Sequence, residues 1–176
     1  MDKLREISRK IKSIGEEVWR HLGCGFNEAI YQNALAIEFR KADIEYLKEV
    51  NIEIFYKGES VGVDRPDFII TRIKNYRKPF LLEIKVCDKI ADSYRMQLKS
   101  YCTSLPRNTN PVLNDFSGGM LLAFPNTDTS GEARVKIFVV DAQFNVLIDE
   151  QKEEEERKRL EKERQKRKGE GRKRNE

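Results

Sequence analysis

The sequence predicts an α/β (α+β) domain, a mixed central sheet flanked by helices, followed by a charged C-terminal tail that is helical and then disordered. Three observations carry this expectation. The first 41 residues repeat apolar side chains in steps of three and four, the later apolar runs have strand length, and the composition changes abruptly at Glu150.

Leu4, Ile7, Ile11, Ile14, Val18 and Leu22 fall on one face of a helix over residues 3 to 21, which the glycines of LGCGF should stop. Asn27 is placed to cap a second helix, carried by Ile30, Tyr31, Ala34, Leu35 and Ile37 to about Lys41. Three strand-like runs follow: NIEIFYKG (51 to 58), GESVGVDRPDFIITRI (58 to 73) and PFLLEIKVC (79 to 87). YKGES holds the glycine expected of a hairpin turn between the first two. Residues 89 to 104 read as a helix, PRNTNPVLND as a loop of turn formers, and GGMLLAFP and ARVKIFVVD as two more strands. From Glu150 almost every side chain is charged, and the many Glu/Lys and Glu/Arg pairs at i,i+3 or i,i+4 predict a solvated helix to about Lys168. The last stretch, GEGRKRNE, is expected to be disordered. The division expected is a domain over residues 1–148 and a tail over 149–176.

A chain of 176 residues supports one core. Residues 150 to 176 hold 12 Lys+Arg against 9 Asp+Glu, and residues 1 to 149 hold 22 against 21. The folded part is thus nearly neutral, and global charge alone does not define a nucleic-acid binder. Cys24, Cys87 and Cys102 form no C-x-x-C pair and His21 is the one histidine, which argues against a zinc site and a disulfide framework. No apolar run of about 18 residues occurs and the N-terminal MDKLREISRK lacks an apolar signal core, so an intracellular protein, cytoplasmic or nuclear, without a membrane segment is expected.

The chemistry concentrates in LLEIK. Alternation turns Leu82, Ile84 and Val86 to one face of the strand, Glu83 and Lys85 to the other. Two charges on a core strand cost several kcal/mol unless paired or used. Taken alone, Glu83 and Lys85 read as an ordinary ion pair. Asp67, at the head of Phe68-Ile69-Ile70, is placed to stand beside Glu83, and two such carboxylates suit a hard divalent cation. Lys85 would then orient or deprotonate the attacking water or stabilise charge on phosphorus. Asp64 is a rival ligand of opposite parity to Asp67. Glu28 and Tyr31 share a helical face with Leu35, and Gln97 and Tyr101 share one on the helix after Lys85. Gln97 is thereby available to hydrogen-bond a phosphate.

Taken in order, G-x-x-E-x-x-Y (Gly25, Glu28, Tyr31), YKG (56 to 58), R-x-D (Arg65, Asp67), E-x-K (Glu83, Lys85) and Q-x-x-x-Y (Gln97, Tyr101) resemble the GxxExxY protein family of the PD-(D/E)XK nuclease superfamily, over residues 5 to 140. The resemblance implies a restriction-endonuclease-like core, with Asp67 and Glu83 as ligands of Mg²⁺ or Mn²⁺ and Lys85 as the catalytic lysine. It implies that Glu28 is an accessory acid, and that Gln97 and Tyr101 match the motif of exonuclease-type members. Arg65, Tyr31 and Tyr101 are the expected substrate contacts. The loop from Pro106 to Asp115 and the charged tail depart from the family pattern.

The function expected is metal-dependent hydrolysis of phosphodiester bonds in nucleic acid, DNA being favoured over RNA; the oligomeric state is open and admits a homodimer. Two rivals stand beside it: an inactive nucleic-acid or protein-binding module on the same fold, and a structural subunit in which Glu28, Glu83 and Lys85 form a buried ion network. Residues 157 to 176, with 11 Lys+Arg against 4 Asp+Glu, could add a phosphate anchor.

Overall fold

The computed structural model describes residues 2–128 and 131–173. Helix α1 (Asp2–Leu22) buries Leu4, Ile7, Ile11, Ile14 and Val18, the stripe its period predicts. It ends where Gly23, at φ 72°, donates its N–H to the Trp19 carbonyl at 2.7 Å, a left-handed stop suited to glycine. Helix α2 (Glu28–Lys41) starts on the Asn27 side chain, which accepts the Ile30 N–H.

The strands are β1 (Glu45–Lys48), β2 (Ile52–Tyr56), β3 (Glu59–Asp64), β4 (Phe68–Arg72) and β5 (Phe80–Val86). After them come α3 (Asp92–Ser104), a 3₁₀ turn at Leu105–Arg107 and the single turn α4 (Pro111–Asn114). Strands β6 (Gly118–Phe124), β7 (Lys136–Asp141) and β8 (Val146–Asp149) lead into α5 (Glu150–Lys173).

Six strands form one sheet in the order β1-β4-β5-β6-β7-β8. Only β5 and β6 run parallel; the other neighbours are antiparallel. A parallel pair needs a long crossover, and the segment containing α3 supplies it. Because neighbouring residues face opposite ways, Leu82, Ile84, Met120 and Leu122 pack with α1 and α2, whereas Leu81, Leu121 and Phe138 pack with α3. Each fully buried leucine contributes roughly 1.5–3 kcal/mol. Glu83 and Lys85 share the Leu81 side and therefore point into the α3 layer.

Three features differ from the sequence reading. The run over 58–73 is two strands: Pro66 has no N–H to give a ladder, and β3 leaves to pair with β2 as a separate two-stranded ribbon. Lys57 and Gly58, at φ 51° and 92°, make its hairpin turn. Strands β1 and β8 were not expected, each being four residues long. The segment over 106–115 is partly helical, with α4 begun by Asn110, whose side chain accepts the Val112 N–H, and by Pro111.

Helix α5 continues to Lys173, past Lys168, and its first turns are held by the domain. Glu150 accepts from Lys12 Nζ at 2.8 Å and from the Ile137 N–H at 3.1 Å, and Gln151 accepts from the Ile90 N–H at 2.7 Å. Lys136 reaches Glu154 at 2.9 Å, and the lysines at 158 and 136 hold the Glu154 carboxyl down at about 2. Side chains over 155–167 are exposed. The rest of the expected disordered segment, residues 174–176, lies outside the described residues.

Candidate active site

The site forms where β4 stops and β5 goes on. Their ladder ends at Phe68 opposite Leu82. Beyond it, the Ile84 and Val86 N–H groups face an edge with no strand to accept them, and a buried amide needs an acceptor. Two carboxylates provide it. Asp67, just before β4, accepts the Ile84 N–H on Oδ2 at 2.6 Å, and Glu28, at the start of α2, accepts the Val86 N–H at 3.3 Å. The Asp67 N–H in turn donates to Glu83 Oε2 at 3.3 Å. Lys85 Nζ donates to Glu83 Oε1 at 2.8 Å. Glu83 is 3% exposed and Lys85 9%.

Burial is the main force on these groups. It raises the Glu83 carboxyl from 4.5 to about 7, helped by the Asp67 charge and opposed by Lys85. It raises Asp67 from 3.8 to about 6 against the Ile84 hydrogen bond and the Lys85 charge, with Glu28 and Glu49 adding to the rise. Burial alone would lower the Lys85 amine, but the hydrogen bond and charge of Glu83, with Glu28 and Asp67, leave it raised. Two carboxylates therefore share one ammonium in a poorly solvated place, short of positive charge.

That donor set fits a hard cation. The side-chain ligands are oxygens and the pair is under mutual repulsion, which a divalent ion would relieve. Among the described residues no group of three or more His, Cys, Asp or Glu converges as a cage. Asp67 and Glu83 are thus the two carboxylates that could hold such an ion, which binds through one or two carboxylates plus water or phosphate oxygens.

The remaining sequence-predicted residues lie around this centre in different ways. Gln97 donates to the Tyr101 hydroxyl at 2.9 Å; that hydroxyl lies 3.4 Å from Asp64 Oδ1 and 3.5 Å from the Arg65 carbonyl. Tyr101 has no exposed surface, and it ties α3 to the segment that carries Asp67. Asp64 sits at the end of β3, in the other sheet, so strand parity with Asp67 does not apply to it. Tyr31 is likewise fully buried, stacked on Phe124 at 4.4 Å, with its hydroxyl donating to the Gly23 carbonyl at 2.7 Å. Neither tyrosine presents a free face. Arg65 is exposed beside Asp67.

Two residues at the site are given no role there by the sequence reading. Gln32, 9% exposed, donates to Asp67 Oδ1 at 2.7 Å. It lies four residues after Glu28 on one helical face, a spacing that could have pointed to it. Tyr94 sets its ring 5.3 Å from Lys85 Nζ and stands three residues before Gln97, again on a shared face.

A mixed sheet between helical layers, with Asp67, Glu83 and Lys85 gathered at the end of its shorter strand, defines a restriction-endonuclease-like α/β protein. The family model for the PD-(D/E)XK nuclease superfamily matches residues 5–135, and the chain belongs to that superfamily. Members of that superfamily are mostly nucleases and generally use divalent metals. No curated protein matches the chain. Among solved structures, "Crystal structure of SSO0001" is similar at 20% identity and a TM-score of 0.36, over 70% of this chain and 55% of that one. No helix among the described residues is long and apolar enough to cross a membrane.

Proposed function

We propose that this chain is a metal-dependent nuclease of the GxxExxY branch, hydrolysing phosphodiester bonds in DNA in preference to RNA. The observation that carries the reading is the meeting of Asp67, Glu83 and Lys85 around two carboxylates that burial and repulsion have raised. Asp67 and Glu83 would hold Mg²⁺ or Mn²⁺, which would supply Lewis-acid polarisation of the scissile phosphate. Lys85 orients the attacking water and stabilises the negative charge on the phosphoryl oxygens. Gln32 and the Ile84 amide fix the Asp67 carboxylate. Glu28, anchored on the Val86 amide, adds negative charge beside Lys85. Arg65 meets a substrate phosphate, while Gln97 and Tyr101 hold the Asp64–Asp67 segment in place.

Cleavage of single-stranded, duplex and branched DNA, and of RNA, with Mg²⁺ or Mn²⁺ tests the reading. Activity should vanish in Lys85→Ala and Asp67→Ala. Failure of the wild type on every substrate with both metals overturns it. A second reading, a binding module without catalysis, draws support from the internal donors that already engage the oxygens of Asp67 and Glu83. Calorimetry separates the two: the nuclease takes up Mg²⁺ or Mn²⁺ at this pair, and the inert module does not.

A further inference from the structure

The Lys85 ammonium has three donors on a flexible four-carbon stem, yet among the described residues only Glu83 accepts from it. One hydrogen bond holds the ammonium from one side only, while the charges of Glu28 and Asp67 also attract it. A reaction that depends on where the ammonium stands needs a second restraint. The ring of Tyr94 lies 5.3 Å from Lys85 Nζ, close enough for the negative face of the ring to attract the cation.

Tyr94 is itself presented by a fixed piece of backbone. It lies in the first turn of α3, where its N–H donates to the Ala91 carbonyl at 3.1 Å. Its neighbour Arg95 clamps that turn, donating to the Ile90 carbonyl at 3.1 Å, to Asp92 at 3.0 Å and to Asp149 at 3.2 Å. The Tyr94 ring is half-buried, and its hydroxyl makes no hydrogen bond among the described residues. The working part of this side chain is therefore its ring.

We propose that the face of Tyr94 holds the Lys85 ammonium in its reactive orientation, so that Tyr94 is a positioning residue of the same site. This rests on the nuclease reading, but the placement itself is open to a measurement that needs no cleavage. A ring at this distance moves the NMR signals of the Lys85 ε-methylene upfield, which lysine labelled at Cε reports, with Lys85→Arg assigning the peak. The shift persists in Tyr94→Phe and disappears in Tyr94→Leu. In cleavage assays Tyr94→Leu lowers kcat roughly tenfold at unchanged KM, and Tyr94→Phe restores it. Thermal melting verifies that each variant is folded.

A Leu variant with wild-type kcat, or a Phe variant as slow as Leu, overturns the positioning role. A Lys85 signal unmoved by loss of the ring overturns the contact itself, whatever the activity. A wild-type chain that cleaves nothing removes the nuclease reading and the catalytic role with it, while the NMR comparison still decides the contact.

Discussion

Replacing Glu83 by glutamine should stabilise the metal-free protein at pH 8 and leave it nearly unchanged at pH 5. In the fold, burial and Asp67 raise the Glu83 carboxyl from 4.5 to about 7. A carboxyl raised on folding favours the folded state below its unfolded value, and that contribution fades as pH rises through the folded one. The window is therefore about pH 4.5 to 7, with little left at pH 8. The size follows from the same two values, about 2 to 3 kcal/mol lost between pH 5 and pH 8. At pH 5 Glu83 is mostly protonated and glutamine is close to it in shape and charge. At pH 8 glutamine relieves both the ionisation of a buried acid and its repulsion of Asp67, while its carbonyl can still accept from Lys85. Urea unfolding in EDTA at several pH values measures the difference between wild type and Glu83→Gln. Two stability curves that run parallel from pH 5 to pH 8 would refute the claim that this carboxyl is under electrostatic strain.

Four further outcomes follow from the geometry. Adding Mg²⁺ or Mn²⁺ should raise the melting temperature of the wild type more at pH 8 than at pH 5.5, because ions compete with protons for Asp67 and Glu83; a pH-independent shift in differential scanning fluorimetry contradicts this. Gln32→Ala should weaken Mn²⁺ binding by calorimetry roughly 10-fold or more, since it frees one oxygen of Asp67 from its outer partner. Arg95→Ala should lose about 3 kcal/mol in urea unfolding, because Asp149, 7% exposed, is left a buried charge with, among the described residues, only the Lys152 amide and a distant ammonium beside it. Deleting residues 159–176, nine Lys+Arg against four Asp+Glu, should flatten the salt dependence of DNA binding by up to about 4 in log–log slope and change stability by less than about 0.5 kcal/mol. The cut must fall after Lys158, since Glu150, Gln151 and Glu154 are tied to the domain.

Local patterns carried most of the fold. The spacing from Leu4 to Val18 fixes which side of α1 is buried, and Asn27 marks the start of α2. Strand β5 is legible because its apolar positions leave only Glu83 and Lys85 to explain. What stayed hidden depends on partners far away in the chain. Strand β1 shows only a half-exposed pattern and is held by pairing with β4, twenty or more residues on. Tyr31, expected as a substrate contact, is instead covered by the stacked ring of Phe124.

The site itself divides along the same line. Residue types and order sufficed to single out Asp67, Glu83 and Lys85, but not the reason they meet. That reason is a mismatch of strand lengths: β5 runs to Val86 while its ladder with β4 ends at Leu82. The mismatch bares the Ile84 and Val86 amides at a buried edge, and acceptors are needed there whether or not there is chemistry to perform. Asp67 and Glu28 supply them and are fixed by doing so, which brings an acid from the connector and one from α2 to the same end of β5. Glu83 and Lys85 reach that end by alternation alone. The backbone's unmet hydrogen bonds thus assemble the carboxylates, and their shared burial leaves the assembly short of positive charge. Lengthening β4 by a residue pair would satisfy Ile84 with a carbonyl and release Asp67, so the gap in the ladder is as much a part of this site as the side chains that fill it.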